Sequence, residues 1–221
     1  METTRREDVA IMAMGLDITL PGNEGMMWGS LESPGRLAMA VLAFRQFKAG
    51  IFVITGSHQK DGERGTQILR DRLFREWLPT IPEEDATEDL VSSLEKAMLL
   101  EPEGKEPAKN TEETMRNMGP ELRERRVEIV ILVSSPDHVC RAHLTALKVW
   151  SEVCSDWHPT ILAVASRVPY TPGLSFKEAI TKTLILEPSL VKKLGEDPFA
   201  LVRALQDREG AIRIREALSR F

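Results

Sequence analysis

Four short apolar runs punctuate the chain: Val9 to Met14, Ile51 to Thr55, Val127 to Val133 and Thr160 to Ala165. Each is β-rich or continuously apolar and ends in small or turn-forming residues, which predicts strands buried from both sides. Longer segments with helical periodicity lie between them. Leu37, Val41, Phe44 and Phe47 recur at threes and fours, as do Ile68, Leu69, Leu73 and Trp77; Leu144, Leu147 and Val153 follow the third run. Strands alternating with helices predict βαβ units, and so an α/β three-layer sandwich around a mostly parallel sheet.

Two stretches depart from this rhythm. The segment from Pro79 to Lys109 carries Pro79, Pro82, Pro102 and Pro107 among many acidic residues. It reads as a surface excursion with one helix around Leu90 to Leu100, and leaves a fifth strand open. From Phe176 to Phe221 the spacing of Leu201, Leu205, Ile212 and Leu218 predicts two or three helices, broken at Pro188 and between Gly195 and Pro198. The expected organisation is therefore an α/β domain over 1–170 and a helical extension over 171–221 packed on it. The apolar faces of that extension also suit a homodimer contact.

Composition narrows the function. Of 221 residues 42% are hydrophobic, which supports a sizeable core and excludes global disorder. Lys plus Arg total 29 against 34 Asp plus Glu, a net charge of −5, the wrong balance for non-specific nucleic-acid binding. Arg123, Arg125 and Arg126 alternate with Glu121, Glu124 and Glu128, the mixture of a solvated helix face. No window approaches the roughly 18 to 20 apolar residues of a membrane span, and the basic start METTRRED lacks the apolar core of a signal peptide. The expectation is a cytoplasmic protein with no membrane partner. Cys140 and Cys154 are 14 residues apart in one predicted helix, a rise of roughly 21 Å, too far to pair with each other.

Ligands of a parallel α/β sheet bind beyond the carboxyl ends of its strands, so the candidate chemistry is sought there. Gly15 follows the first strand and opens a connection to Ser33 containing Met26, Met27 and Trp28, either a lid or an irregular packed loop. Ser33 then suits a helix N-cap with Pro34 at the first helical position. Arg36 would point from the first turn towards an anion, or form a surface salt bridge. After the second strand comes Thr55-Gly56-Ser57-His58, a turn whose backbone can approach a ligand closely, or only a tight turn. His58 is an acid/base candidate by residue type. Asn110 and Glu113 fit a capping box, and position alone keeps Asn110 and Thr111 as ligand contacts. The richest place is Ser134-Ser135-Pro136-Asp137-His138 with Arg141 beyond it. Ser135 suits an N-cap, and His138 and Arg141, three apart, share a helix face. His143 lies on another face, which argues against a two-histidine metal site, and no GxSxG elbow is present.

Taken in order, these blocks resemble the bacterial family of unknown function typified by YdcF, SanA and ElyC. The likeness covers roughly Asp8 to Ala165. It rests on the first strand ending near Gly15, on Gly35-Arg36-Leu37, Ile54-Thr55-Gly56-Ser57 and Asn110-Thr111-Glu112-Glu113, and on Ser134-Ser135-Pro136-Asp137-His138-Val139-Cys140-Arg141-Ala142. The last block matches the family's Thr/Ser-Ser-x-x-His-x-x-Arg-Ala pattern. The resemblance implies a Rossmann-like fold and a cleft lined by Gly15, Arg36, Gly56, Ser57, Asn110, Thr111, Ser135, His138 and Arg141. It also implies links to S-adenosylmethionine and, in membrane-anchored members, to envelope biogenesis. The chain departs from the pattern at Leu16 and Ser57, where glycines are usual, and Glu63 and Glu106 match only approximately.

The function expected is that of an enzyme acting on a nucleotide-like or phosphorylated small molecule. Arg36 and Arg141 would hold the anion, His138 would serve as acid/base, and Asp137 would orient it or join the substrate site. The alternative is a non-catalytic regulatory protein that binds S-adenosylmethionine or a nucleotide, in which His138 only donates a hydrogen bond. Metal-dependent hydrolysis through Asp17, Asp137 and His138 stands behind both, and no metal is expected.

Overall fold

The computed structural model describes residues 5–16, 23–29, 34–56, 59–60, 63–81, 88–101, 108 and 110–167. Five strands, β1 (Arg6–Ala13), β2 (Ala49–Ile54), β3 (Met98–Leu100), β4 (Ile129–Ser134) and β5 (Thr160–Ala165), form one parallel sheet in the order β3-β2-β1-β4-β5. The four predicted strands are all present, but β5 is an edge strand and largely exposed, not buried from both sides as its apolar run predicts; the stretch left open between Pro79 and Lys109 supplies the fifth. A separate two-residue ribbon pairs Gln59–Lys60 with Glu63–Arg64.

Alternation along β1 explains the three layers, because successive side chains of a strand face opposite ways. Val9, Ile11 and Ala13 pack with Phe52, Ile54, Ile131 and Val133 under α2 (Arg36–Phe47), α3 (Gly65–Arg72) and α4 (Glu88–Ala97). Ala10, Met12 and Met14 pack with Val53, Val130 and Leu132 under α5 (Thr111–Glu124) and α6 (Pro136–Val153). The central strand is thus buried on both faces, as its unbroken apolar run requires. Helix α3 continues through a π-helical turn, Leu73–Trp77, and a 3-10 turn, Leu78–Thr80, that brings Leu73 and Leu78 into the first core.

Two readings of the pattern change. Leu144 is exposed; the buried stripe of α6 is Ala142, Ala146, Val149 and Trp150, with the Trp150 indole donating to the Met115 carbonyl at 2.9 Å. The predicted loop from Gly15 to Ser33 contains a short helix, α1 (Asn23–Trp28), and Trp28 packs in the core with Met27 instead of sitting on an open lid. Both cysteines are free, Cys140 exposed and Cys154 buried. Among the described residues no helix is long and apolar enough to cross a membrane. The chain divides into two units, Met1–Pro172 and Gly173–Phe221. The second, with the expected helical extension, lies outside the described residues.

Candidate functional site

Strand order reverses at β1. Chain leaving β1 passes over one face to β2, while chain entering and leaving β4 runs over the other. This is the switch point at which an open α/β sheet leaves a crevice beyond its carboxyl ends. Here the ends of β1, β2 and β4 are tied closely. Met14 N–H donates to the Val133 carbonyl at 2.9 Å and Thr55 N–H to the Ala13 carbonyl at 3.2 Å. The buried Thr55 hydroxyl donates to the same carbonyl at 3.0 Å and accepts from Gly15 N–H at 3.1 Å. A Cβ on Gly15 would lie 1.9 Å from the Thr55 carbonyl oxygen. Glycine stands at position 15 because two strand ends meet there, a reason in packing that does not depend on a ligand. A Cβ on Gly56 would meet Leu69, Thr66 and Gly65 only at ordinary van der Waals distances of 3.5 Å or more, so packing tolerates a side chain there.

Arg36 comes from the start of α2, but not as the capping pattern predicts. Helix α2 begins at Arg36 with Gly35 as its N-cap, and Pro34 forms an isolated bridge with Gly29 instead of occupying the first helical position. The cause is close packing. Gly35 N–H donates to the Trp28 carbonyl, and a Cβ on Gly35 would fall 2.6 Å from the Met26 and Met27 carbonyl oxygens. Arg36 therefore starts the helix pointing inward and is 2% exposed. Its Nη1 donates to the Met14 and Gly15 carbonyls, both at 3.3 Å, and its Nη2 to Ser135 Oγ at 2.6 Å. The guanidinium thus joins the end of β1 to the start of α6, with its positive charge under the crevice. At this depth it is not a surface residue.

The β4–α6 junction delivers the remaining groups. Ser135 is the N-cap of α6, with Pro136 in the first turn, yet its hydroxyl makes no cap bond and receives Arg36 instead. His138, one turn in, is buried between two hydroxyls: Nδ1 lies 2.7 Å from Ser134 Oγ and Nε2 lies 3.1 Å from Thr111 Oγ1. Burial, with the Arg36 and Arg141 cations beside it, holds the imidazole well below the ordinary histidine range. It is neutral at pH 7. Arg141, half-buried on the same helix, is electrostatically coupled to His138 as their spacing of three predicts.

Helix α5 positions Thr111. Asn110 is its N-cap: Oδ1 accepts from Glu113 N–H at 3.0 Å while Nδ2 donates to Glu113 Oε1 at 3.0 Å. Asn110 is exposed and spends its side chain on the helix end, whereas Thr111, the next residue, turns its hydroxyl to His138. Thus Gly15, Arg36, Thr111, Ser135, His138 and Arg141 gather at the switch point. Ser57, His58 and the side chain of Asp137 lie outside the described residues, as does Asp17. The partner of His138 Nδ1 that the structure supplies is Ser134. Two further contributors are Ser134, which stands next to the cap residue Ser135, and Thr55, whose hydroxyl links the β1 and β2 ends. The last inward position of a buried strand was the available signal for Ser134.

The arrangement offers a buried positive charge, a neutral imidazole and three hydroxyls at the ends of parallel strands. Such a set suits an oxyanion better than a cation. Among the described residues no group of three or more His, Cys, Asp or Glu converges on a point that could hold a metal ion. Comparisons with protein-family models, with curated proteins and with solved structures find no match to this chain.

Proposed function

We propose that this is a YdcF-like protein that binds a nucleotide-like or phosphorylated small molecule beyond the ends of β1 and β4, and acts on it as an enzyme. The observation that carries the reading is the convergence of Arg36, Thr111, Ser135, His138 and Arg141 from three separate helix starts at the topological switch point. Arg36 supplies charge from below while its terminal nitrogens hold the scaffold. Arg141 contacts the anion, and His138 is the acid/base group, neutral in the resting protein. The resemblance to the YdcF, SanA and ElyC family adds S-adenosylmethionine to the candidate ligands. The proposal extends to the cytoplasm as the site of action, where free thiols such as the exposed Cys140 stay reduced.

The test is turnover of a panel of nucleotides and phosphate esters by purified full-length protein. His138→Ala is expected to abolish turnover while ligand affinity stays within about tenfold, roughly 1.4 kcal/mol. Undiminished turnover in that variant contradicts the acid/base role. One observation favours a second reading, a non-catalytic sensor: both ring nitrogens of His138 already have protein partners. A sensor shows ligand binding with no turnover by the wild type.

A further inference from the structure

We infer that Ser134 fixes His138 in the tautomer that carries its hydrogen on Nε2, so that the imidazole donates to Thr111 and the relay ends in a Thr111 hydroxyl proton offered to a ligand oxygen. The inference rests on the reading of this place as a ligand site and specifies the chemistry it presents.

The argument is one of satisfying buried donors. Ser134 Oγ belongs to a residue that is 0% exposed, and among the described residues His138 Nδ1 at 2.7 Å is its side-chain partner. A serine hydroxyl always has one hydrogen to place. If Nδ1 carried the ring hydrogen and donated to Ser134, the serine's own hydrogen would be left in the dry interior without an acceptor, an unfavourable arrangement. With Ser134 donating to Nδ1, both the serine hydrogen and the ring nitrogen have a partner. The ring hydrogen then sits on Nε2, 3.1 Å from Thr111 Oγ1. Thr111 is half-buried, so its displaced hydrogen can find solvent or a ligand, which the Ser134 hydrogen cannot. Burial therefore decides between the two tautomers. Each bond in such a chain polarises the next, and the chain runs one way, from Ser134 through His138 to Thr111. The site presents donors, fitting a phosphoryl or carboxylate oxygen. In this state His138 polarises an oxygen; it does not remove a proton from Thr111, and Thr111 is not a nucleophile activated by it. Ser134 is a positioning residue.

The experiment is a two-bond proton–nitrogen correlation spectrum of ligand-free full-length protein labelled with ¹⁵N-histidine. The chain has 4 histidines, and the His138 pattern is the one missing from His138→Gln. The expected pattern has a protonated Nε2 and a bare Nδ1. Ser134→Ala is expected to lose the single tautomer, and Ser134→Thr, which keeps a hydroxyl, to restore it. A wild-type ring protonated on Nδ1, or a Ser134→Ala spectrum identical to wild type, overturns the inference. The wild-type spectrum decides even if Ser134→Ala does not fold. Because no ligand is present, a wrong tautomer strikes this assignment alone. The anion-site reading stands or falls separately, by ligand titration.

Discussion

Arg36 Nη2 lies 2.6 Å from Ser135 Oγ, across 99 residues of sequence. The contact ties the first residue of α2 to the residue that begins α6, and the same guanidinium holds the Met14 and Gly15 carbonyls at the end of β1. A serine at a helix N-cap ordinarily turns its oxygen to the helix's own free N–H groups. Ser135 gives that oxygen to Arg36 instead, so the site is assembled at some expense to the local helix end.

Removing this clamp is expected to cost stability as well as function. Arg36→Ala strands buried acceptors on both sides of the crevice and should destabilise the fold by about 3 kcal/mol. Arg36→Lys keeps the charge but cannot reproduce a planar fork serving three acceptors, so it should recover only part of that loss. Urea unfolding midpoints of the three proteins check the order. Equal stability of wild type and Arg36→Ala contradicts the clamp.

The two strand-end glycines should respond oppositely to an added methyl. Gly15→Ala places a carbon 1.9 Å from the Thr55 carbonyl oxygen and forces two central strand ends apart, a loss of about 3 kcal/mol or more. Gly56→Ala meets only ordinary contacts from 3.5 Å outward and should change stability by less than about 1 kcal/mol. Thermal melts of the pair, run side by side, separate a glycine that packing requires from one where packing tolerates a methyl. If Gly56→Ala melts normally yet loses ligand affinity, the turn after β2 belongs to the ligand site.

The fold was legible because its central strands are buried on both faces. Val9 to Met14 overlaps the central strand β1 within a few residues, and Thr160 to Ala165 coincides with β5, an edge strand whose apolar run is largely exposed. The fifth strand was harder to see because β3 is only three residues long, between a helix and a proline-rich segment. The capping box at Asn110 was readable as local chemistry. The start of α2 was not, since Gly35 is fixed by carbonyls of α1, an element with too few turns to leave a periodic signal. For the site, the order of Arg36, His138 and Arg141 was visible along the chain. The inward turn of Arg36 and the pairing of Thr111 with His138 depend on contacts between distant segments, which no local pattern encodes.

Stability should fall in mild acid because His138 is neutral in the folded protein. In the unfolded chain it titrates near 6.5; in the fold burial, Arg36 and Arg141 lower that value. Between the two values the unfolded chain holds a proton that the folded chain does not, so acid favours unfolding. The contribution is whole above about pH 6.5 and is lost as pH falls towards the folded value, with a slope of at most about 1.4 kcal/mol per pH unit. His138→Gln should flatten the stability curve between about pH 7 and 5. His143, half-buried and shifted the same way by burial, keeps its own share in both proteins. Parallel curves for wild type and variant contradict the assignment.

Asn110 should act through the helix it caps. Asn110→Ala removes the bond from Glu113 N–H and frays the turn that carries Thr111, at a cost of about 1 kcal/mol. Asn110→Asp keeps the accepting oxygen and should retain most of that stability. Chemical unfolding distinguishes them, and a full loss in the aspartate variant would point to a role for Asn110 beyond the cap.

The most direct measurement is a thermal-shift titration of the full-length protein with nucleotides, S-adenosylmethionine, sugar phosphates and amino acids, repeated on Arg141→Ala. A ligand at 100 times its dissociation constant adds about 2.7 kcal/mol of stability. The account predicts that an anionic member of the panel raises the melting temperature of the wild type and that the rise is lost in Arg141→Ala. A panel without any anionic hit, or a rise that survives unchanged in Arg141→Ala, contradicts an anion site beyond the ends of β1 and β4.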